Sequence, residues 1–428
     1  MTMVKSNCIN TNEFEFYITE FLQFGKFFWT ATNKNIYNLI ITYESIDDLL
    51  NFITELNFRE KNPKFDFFNF IIFNYDTDEQ YDFLNELGFK TIKKININFT
   101  SYEPNIVEKP EWAFDNHVLY NNYYIDDNIK IIFIDGIDNH WHIIEYLNNN
   151  MYIFVKWPCF FCSWNYQFAR NVIFTKNKNN INLKNIIYQC PNLDGILWAI
   201  EYGFDYIFCN HNCWLDYNLF KILDDEDKNY DLVINCRPEN NFKRPYLASK
   251  VNNIAFIKGY LYNKNDFYDY TQLNCKYINE SIIDIDEIVK IYNQSYCGGI
   301  FSEKEGACNS SSEYLLCGLP VISTRNKGGR DIWYNKYNSI IVEPDEYAVL
   351  DAVNYFTTNC IIDKEKIRNE HIKLSDEMRN IFNEKIQEIF NLNNINICAL
   401  EYFNNNFFHK MTLNMELDQY INFLINSK

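Results

Sequence analysis

Short runs of β-branched and aromatic residues alternate with segments of helical period along this chain, and that alternation restricts the fold more than any other feature. A strand flanked in sequence by helices is covered on both faces, so such strands assemble into a parallel sheet between helical layers. In the first half the pattern predicts strands over 37–43, 70–74, 130–135, 151–156, 185–189 and 205–210. Helices are expected over 46–56, 79–87, 141–148 and 192–202. The repeating unit blurs between Phe99 and Asp127, so residues 1–105 stand as a candidate separate subdomain.

A polar acidic stretch, Asp224-Asp-Glu-Asp-Lys-Asn-Tyr230, breaks the pattern and marks a domain boundary. The alternation then restarts more cleanly. Strands are expected over 231–236, 253–258, 275–278, 297–302, 320–324 and 339–342, with helices over 284–293, 309–317 and 346–356. The chain ends in helical segments over 362–390 and 417–425. The expected organisation is an N-terminal domain over 1–226, a second domain over 227–360, and a helical tail over 361–428 that can cross back.

Charge and cysteine content narrow the function. The formal charge is −18, and no basic stripe interrupts it. Nucleic acid is therefore not an expected partner, because a phosphate-backbone binder needs clustered Lys and Arg. A small anion still fits, since two or three local cations can hold it against the mean field. The N-terminus lacks the parts of a signal peptide, and no segment is apolar enough to predict a transmembrane helix. Thirteen scattered cysteines read as reduced thiols, which points to a cytoplasmic location.

Gly299-Ile-Phe-Ser-Glu-Lys-Glu-Gly-Ala-Cys-Asn-Ser-Ser-Ser-Glu-Tyr-Leu-Leu-Cys-Gly-Leu-Pro-Val-Ile-Ser-Thr324 is the most informative segment. It reads as strand, loop, helix, turn, strand. Gly318 occupies a helix C-cap position and Pro320 stops the helix. A right-handed crossover makes the two strands parallel, and their carboxyl ends open onto one crevice. Glu305 precedes the helix and Glu313 lies in its first turns, with seven residues between them. The amides of Gly306, Ala307 and Cys308 precede a helix N-terminus, which suits a diphosphate. Ser310-Ser-Ser-Glu313 also matches a capping box, in which Glu313 only completes the helix start.

Ser302, Glu305, Gly306 and Glu313, followed by Cys317-Gly-Leu-Pro-Val-Ile-Ser-Thr324 and Gly328-Gly329, resemble the Glu-x7-Glu signature of the family 4 retaining glycosyltransferases. The resemblance covers roughly Gly299 to Asp331. It implies the GT-B fold: α/β, with two Rossmann-like domains facing a cleft, the first on the acceptor side and the second holding a nucleoside diphosphate sugar. It further implies glycosyl transfer with retention to an unknown glycan, protein or small-molecule acceptor. The donor is a co-substrate, and no cofactor or metal is expected. Leu232-Val-Ile-Asn-Cys-Arg237, with Lys243 six positions on, resembles the family's Arg/Lys phosphate clamp, although adjacent Arg244 leaves the register of the lysine open. On this resemblance Arg237, Lys243 and Glu305 are the candidate catalytic residues, and Gly306, Ala307, Cys308 and Glu313 bind the donor. A histidine of the first domain would stand beside the sugar, with His140, His142 and His211 as candidates. The chain departs from the pattern at Asp331, where a Glu is common, in the polar helix start, and in the charges Lys327 and Arg330 added to the loop.

Other constellations have plainer readings. Cys159-x-x-Cys162 and Cys209-x-x-x-Cys213 have loose zinc spacing but read as buried thiols. Asp76-Thr-Asp78 and Asp284-Ile-Asp286 match a metal-binding Asp-x-Asp, yet a turn and a helix start account for them. Two rival functions stay open: a nucleotide-sugar epimerase or hydrolase of the same fold, and a non-catalytic sugar-nucleotide-binding module.

Overall fold

The computed structural model describes residues 117–428 apart from 138–140, 157–162, 225, 238–240, 259–269, 327, 359–361 and 427–428. They belong to one compact unit, Pro104–Lys428. The elements expected between 37 and 87 and the 1–105 subdomain lie outside the described residues, as do Asp76, Asp78, Cys159 and Cys162.

The first sheet contains β1 (His117–Ile125), β2 (Lys130–Asp135), β3 (Met151–Lys156), β4 (Ile186–Cys190) and β5 (Asp205–Phe208), side by side in chain order. Strands β2 to β5 are parallel. In β2, Ile131 to Ile134 are fully buried, as a strand covered on both faces must be. Helices α1 (Ser163–Lys176) and α2 (Leu193–Glu201) form the crossovers on either side of β4. Strand β1 runs antiparallel to β2, with a register shift between Asn122 and Tyr124.

The second sheet is parallel throughout. Its strands are β6 (Tyr230–Cys236), β7 (Ile254–Lys258), β8 (Cys275–Ile278), β9 (Ser295–Ile300), β10 (Val321–Thr324) and β11 (Ser339–Val342), in the order β11-β10-β9-β6-β7-β8. The chain winds outward from β6 to β8, returns through α3 (Ile285–Asn293) to β9, and continues through α4 (Asn309–Leu316) to β10. This is the doubly wound 3-2-1-4-5-6 order, and its reversal point lies between β6 and β9. Helix α5 (Glu346–Thr358) covers this sheet with Val349, Ala352, Val353 and Phe356. The fold is α/β, with two halves that are each built on a largely parallel sheet.

The tail ties the halves together. Helix α6 (Lys364–Leu392) buries Ile367, His371, Leu374, Met378, Phe382, Ile386 and Ile389, one stripe at helical spacing. Near its start Arg368 donates to carbonyls of Leu316, Phe220 and Tyr217. Further along, Phe382 packs 5.4 Å from Phe133 and 5.1 Å from both Phe154 and Trp214. The tail, expected as helical, also supplies a strand: after α7 (Ala399–Asn406), β12 (Leu413–Glu416) pairs antiparallel with β1, and α8 (Leu417–Asn426) follows. No helix among the described residues is long and apolar enough to cross a membrane.

Candidate functional site

The reversal point of the second sheet is where an open α/β sheet binds ligands, beyond the carboxyl ends of its strands. Arg237 stands one residue past β6 and is half-buried. Lys243 and Arg244 lie six and seven positions on, and the structure separates them. Arg244 takes a left-handed backbone with φ 51°. Its Nε donates to the Phe301 carbonyl at 2.8 Å and its Nη2 to Thr324 Oγ1 at 2.9 Å, joining the residue after β9 to the end of β10. Lys243 instead forms an ion pair with Glu305. The register that the sequence left open therefore places Lys243, not Arg244, at the glutamate.

Both oxygens of Glu305 are engaged. Oε1 faces Lys243, Oε2 accepts from the Ser302 hydroxyl at 2.5 Å, and Arg330 Nη1 lies 4.0 Å from Oε2. Burial by itself would raise this carboxyl, but Lys243 and then Arg330 outweigh it and hold Glu305 below the ordinary glutamate value. The same carboxylate raises the Lys243 ammonium against its own burial. A small hollow lined by Asn235, Cys236, Lys243, Gly299, Glu305 and Cys308 lies at this spot.

The loop between Glu305 and α4 is held from the first half. Asn210 Nδ2 donates to the Gly306 carbonyl at 2.8 Å, and Asn212 Nδ2 donates to the Cys308 carbonyl at 2.7 Å. In a trans peptide the carbonyl and the following N–H point opposite ways. The amides of Ala307 and Asn309 are therefore turned away from the two asparagines. Gly306, Ala307 and Cys308 are all buried.

The polar start of α4 serves three neighbours. Ser310 Oγ donates to the Asn235 carbonyl at 2.8 Å, Ser311 Oγ meets Tyr334 OH at 2.7 Å, and Ser312 Oγ accepts from Asn212 at 3.0 Å. No capping box forms. The N-cap is Cys308, so Glu313 falls a full turn inside the helix, too far along to reach back to the cap. Its Oε2 accepts from Tyr292 OH at 2.8 Å, and that hydroxyl accepts from Asn235 Nδ2 at 2.5 Å. Burial pushes the Glu313 carboxyl up, against the opposing pull of Lys410 and the Tyr292 hydroxyl. The two glutamates thus reach the end of β6 by separate routes, Glu305 through Lys243 and Glu313 through Tyr292 and Asn235.

Of the three histidines, His140 lies outside the described residues, and His142 falls in a short 3-10 helix, Trp141–Tyr146. His211 is buried, between Asn210 and Asn212 on the loop that grips Gly306 and Cys308. Asp284 caps α3 by accepting from the Glu287 amide at 2.8 Å. Cys209 and Cys213 are buried with their sulfurs 3.4 Å apart. Among the described residues no group of three or more His, Cys, Asp or Glu side chains is placed to hold a metal.

Sequence reasoning missed Arg330 as part of this site, and it gave no individual role to Ser302, Asn210 or Asn212. Arg330 reads as a loop charge but is fully buried. The signal next to it was the glycine pair. A Cβ on Gly328, at φ 132°, would lie 2.8 Å from the Glu305 carbonyl, and one on Gly329, at φ 102°, would lie 2.7 Å from the Pro191 carbonyl. Two glycines are needed because the loop is pressed between the Glu305 backbone and the first half.

No family model matches the chain. A MATH and LRR domain-containing protein of Plasmodium falciparum is 24% identical over 341 residues, a match that takes in 64% of this chain and spans only 3% of that protein. Similar solved structures include HepE of Anabaena in complex with UDP, at 14% identity and TM-score 0.42, over 56% of this chain and 72% of that one. A glycosyltransferase of Rickettsia africae is 12% identical with TM-score 0.43, over 62% and 77%. Sucrose-phosphate synthase of Thermosynechococcus elongatus is 12% identical with TM-score 0.42, over 64% and 72%.

Proposed function

We propose that this chain is a GT-B glycosyltransferase that takes a nucleoside diphosphate sugar and transfers the sugar, with retention, to an acceptor hydroxyl. The observation that carries the reading is the Lys243–Glu305 pair at the reversal point of a doubly wound sheet, directly before the N-terminus of α4. The diphosphate sits over the start of α4, where helix dipole and amides favour negative charge. Lys243 keeps donors beyond the one that Glu305 takes, because an ammonium has three. It and Arg237 neutralise the departing diphosphate, the group on which charge grows as the glycosidic bond breaks. Glu305 accepts from sugar hydroxyls and Glu313 serves the nucleoside side. His211, buried between the two asparagines that grip Gly306 and Cys308, is the histidine assigned to the donor side. No protein nucleophile is assigned. The rate comes from charge stabilisation and positioning, with the two cations taking the role that a divalent metal has in other transferases.

The test is a thermal-shift panel of UDP-, GDP- and ADP-sugars followed by turnover assays with the sugar that binds. A ligand at a hundred times its Kd adds about 2.7 kcal/mol to stability, so a true donor is readily seen. Transfer that survives chelator is expected. Loss with chelator and recovery with manganese would overturn the metal-free mechanism. Sugar released to water with every acceptor tried would favour a hydrolase, and binding without turnover a non-catalytic module.

A further inference from the structure

The guanidinium of Arg330 has no exposed surface, although the residue opens a short 3-10 turn, Arg330–Trp333, that follows the glycine pair. Both terminal nitrogens are directed at acceptors, while Nε makes no hydrogen bond. Nη1 donates to the carbonyl and the hydroxyl of Ser302, and Nη2 donates to Ser323 Oγ at 2.8 Å and the Thr324 carbonyl at 2.9 Å. Nε faces Asp331 Oδ1 at 3.4 Å. The contact with the Ser302 hydroxyl has a directional result. A serine hydroxyl has one hydrogen, and its oxygen here is occupied as an acceptor. The hydrogen is therefore left to point at Glu305 Oε2, 2.5 Å away.

We propose that Arg330 is a positioning residue for Glu305, acting through Ser302: it sets the direction of the Ser302 hydroxyl and so holds the carboxylate in one orientation, as a pure acceptor. Its purpose for the donor sugar rests on the function proposed above. A carboxylate has about four acceptor positions, and Ser302 and Lys243 take two. Two remain, in a fixed direction, for sugar hydroxyls. Arg330 suits this task where lysine would not. A planar fork of five N–H groups can hold a serine at two atoms and the β10 end at two more, whereas an ammonium is a point charge. The groups that face Glu305 are Lys243 from the turn after β6, Arg330 from the turn after β10 and the Cys308 thiol at the start of α4.

The experiment follows the Glu305 carboxyl by 13C NMR in the full-length chain labelled at glutamate, with the resonance assigned by its disappearance in Glu305→Gln. Ser302→Ala removes the relay while leaving Arg330 in place. Arg330→Lys keeps the charge and loses the fork. Both should raise the titration midpoint of Glu305, Ser302→Ala by about one pH unit, a tenfold change in proton affinity. A Ser302→Ala midpoint equal to the parent's, or an Arg330→Lys midpoint equal to the parent's, overturns the proposal. If Arg330→Lys fails to fold, Ser302→Ala alone decides. The binding donor from the sugar-nucleotide panel is titrated into the parent and Ser302→Ala in parallel, with about tenfold weaker binding expected in the variant. If the midpoint moves but no sugar nucleotide binds the parent, the donor reading fails and the Arg330–Ser302–Glu305 relay stands.

Discussion

Lys243 and Arg244 are neighbours with the same charge and opposite duties. Lys243→Ala leaves Glu305 buried without its nearest cation. The variant should bind nucleoside diphosphate more weakly, and its Glu305 carboxyl should titrate higher. Arg244→Ala removes two hydrogen bonds to β-strand ends and should cost about 1–3 kcal/mol of stability with a smaller effect on Glu305. Denaturant melts and calorimetric titration of both variants separate these outcomes. The glutamates differ in the sign of their pH response. Glu305 is depressed, so its contribution to stability is present above the ordinary value of about 4.3 and is lost as pH falls through its folded value. Glu313 is raised, so the folded state keeps a proton that the unfolded state gives up. Stability is lost there as pH rises from about 4.3 towards the raised value. Glu313→Gln keeps an acceptor for Tyr292 and removes that loss. It should be more stable than the parent at pH 7, with the difference shrinking at pH 4 in urea melts, and it should weaken nucleoside diphosphate binding. Glu305 stood out because its spacing follows a motif, whereas the choice between Lys243 and Arg244 was open until the ion pair with Glu305 was seen. Arg330 was not legible, since an arginine in a charged loop reads as solvated until the buried carbonyls around it are known.

At the scale of elements, the sequence was legible where each strand had its own apolar run. Strands β2, β3, β8 and β11 begin and end where expected. Strand β1 was not foreseen. Its pattern is broken by Asn121-Asn122, and the register against β2 slips at that place. A bulge shifts side chains to the other face and erases the alternation that reveals a strand. Helix α1 was also unforeseen. It is rich in aromatic and β-branched residues and has no acidic residue in its first turn, so local propensity argues against a helix that burial against the sheet supports. Packing between α4 and β9 has a sharp requirement. A Cβ on Gly298 would lie 2.2 Å from the ring of Tyr314, whose hydroxyl accepts from the Asn235 amide at 2.8 Å. Gly298→Ala should cost about 1–3 kcal/mol as overpacking and displace Asn235 at the end of β6. Urea melts would read the first effect and nucleotide binding the second.

For the whole molecule, the return of the tail decides how the halves are joined. The second half is bounded on both sides by chain that belongs to the first, since β5 precedes it and β12 completes the first sheet after it. Lys156, buried at the end of β3 beside Asp135 at 3.7 Å, donates to the Lys410 carbonyl at 3.2 Å and to Thr412 Oγ1 at 3.0 Å, so the first half is unfinished without the tail. That arrangement has a mechanical consequence. His117 at the start of β1 lies opposite Glu416 at the end of β12, and the two strands run antiparallel. Tension applied between residues 117 and 426 pulls this ladder open from one end, one pair at a time, instead of shearing all of its bonds together. In force spectroscopy the tail should therefore peel away in an early low-force step, before either sheet yields. Handles placed at residues 230 and 342, within the second half, should bypass that step.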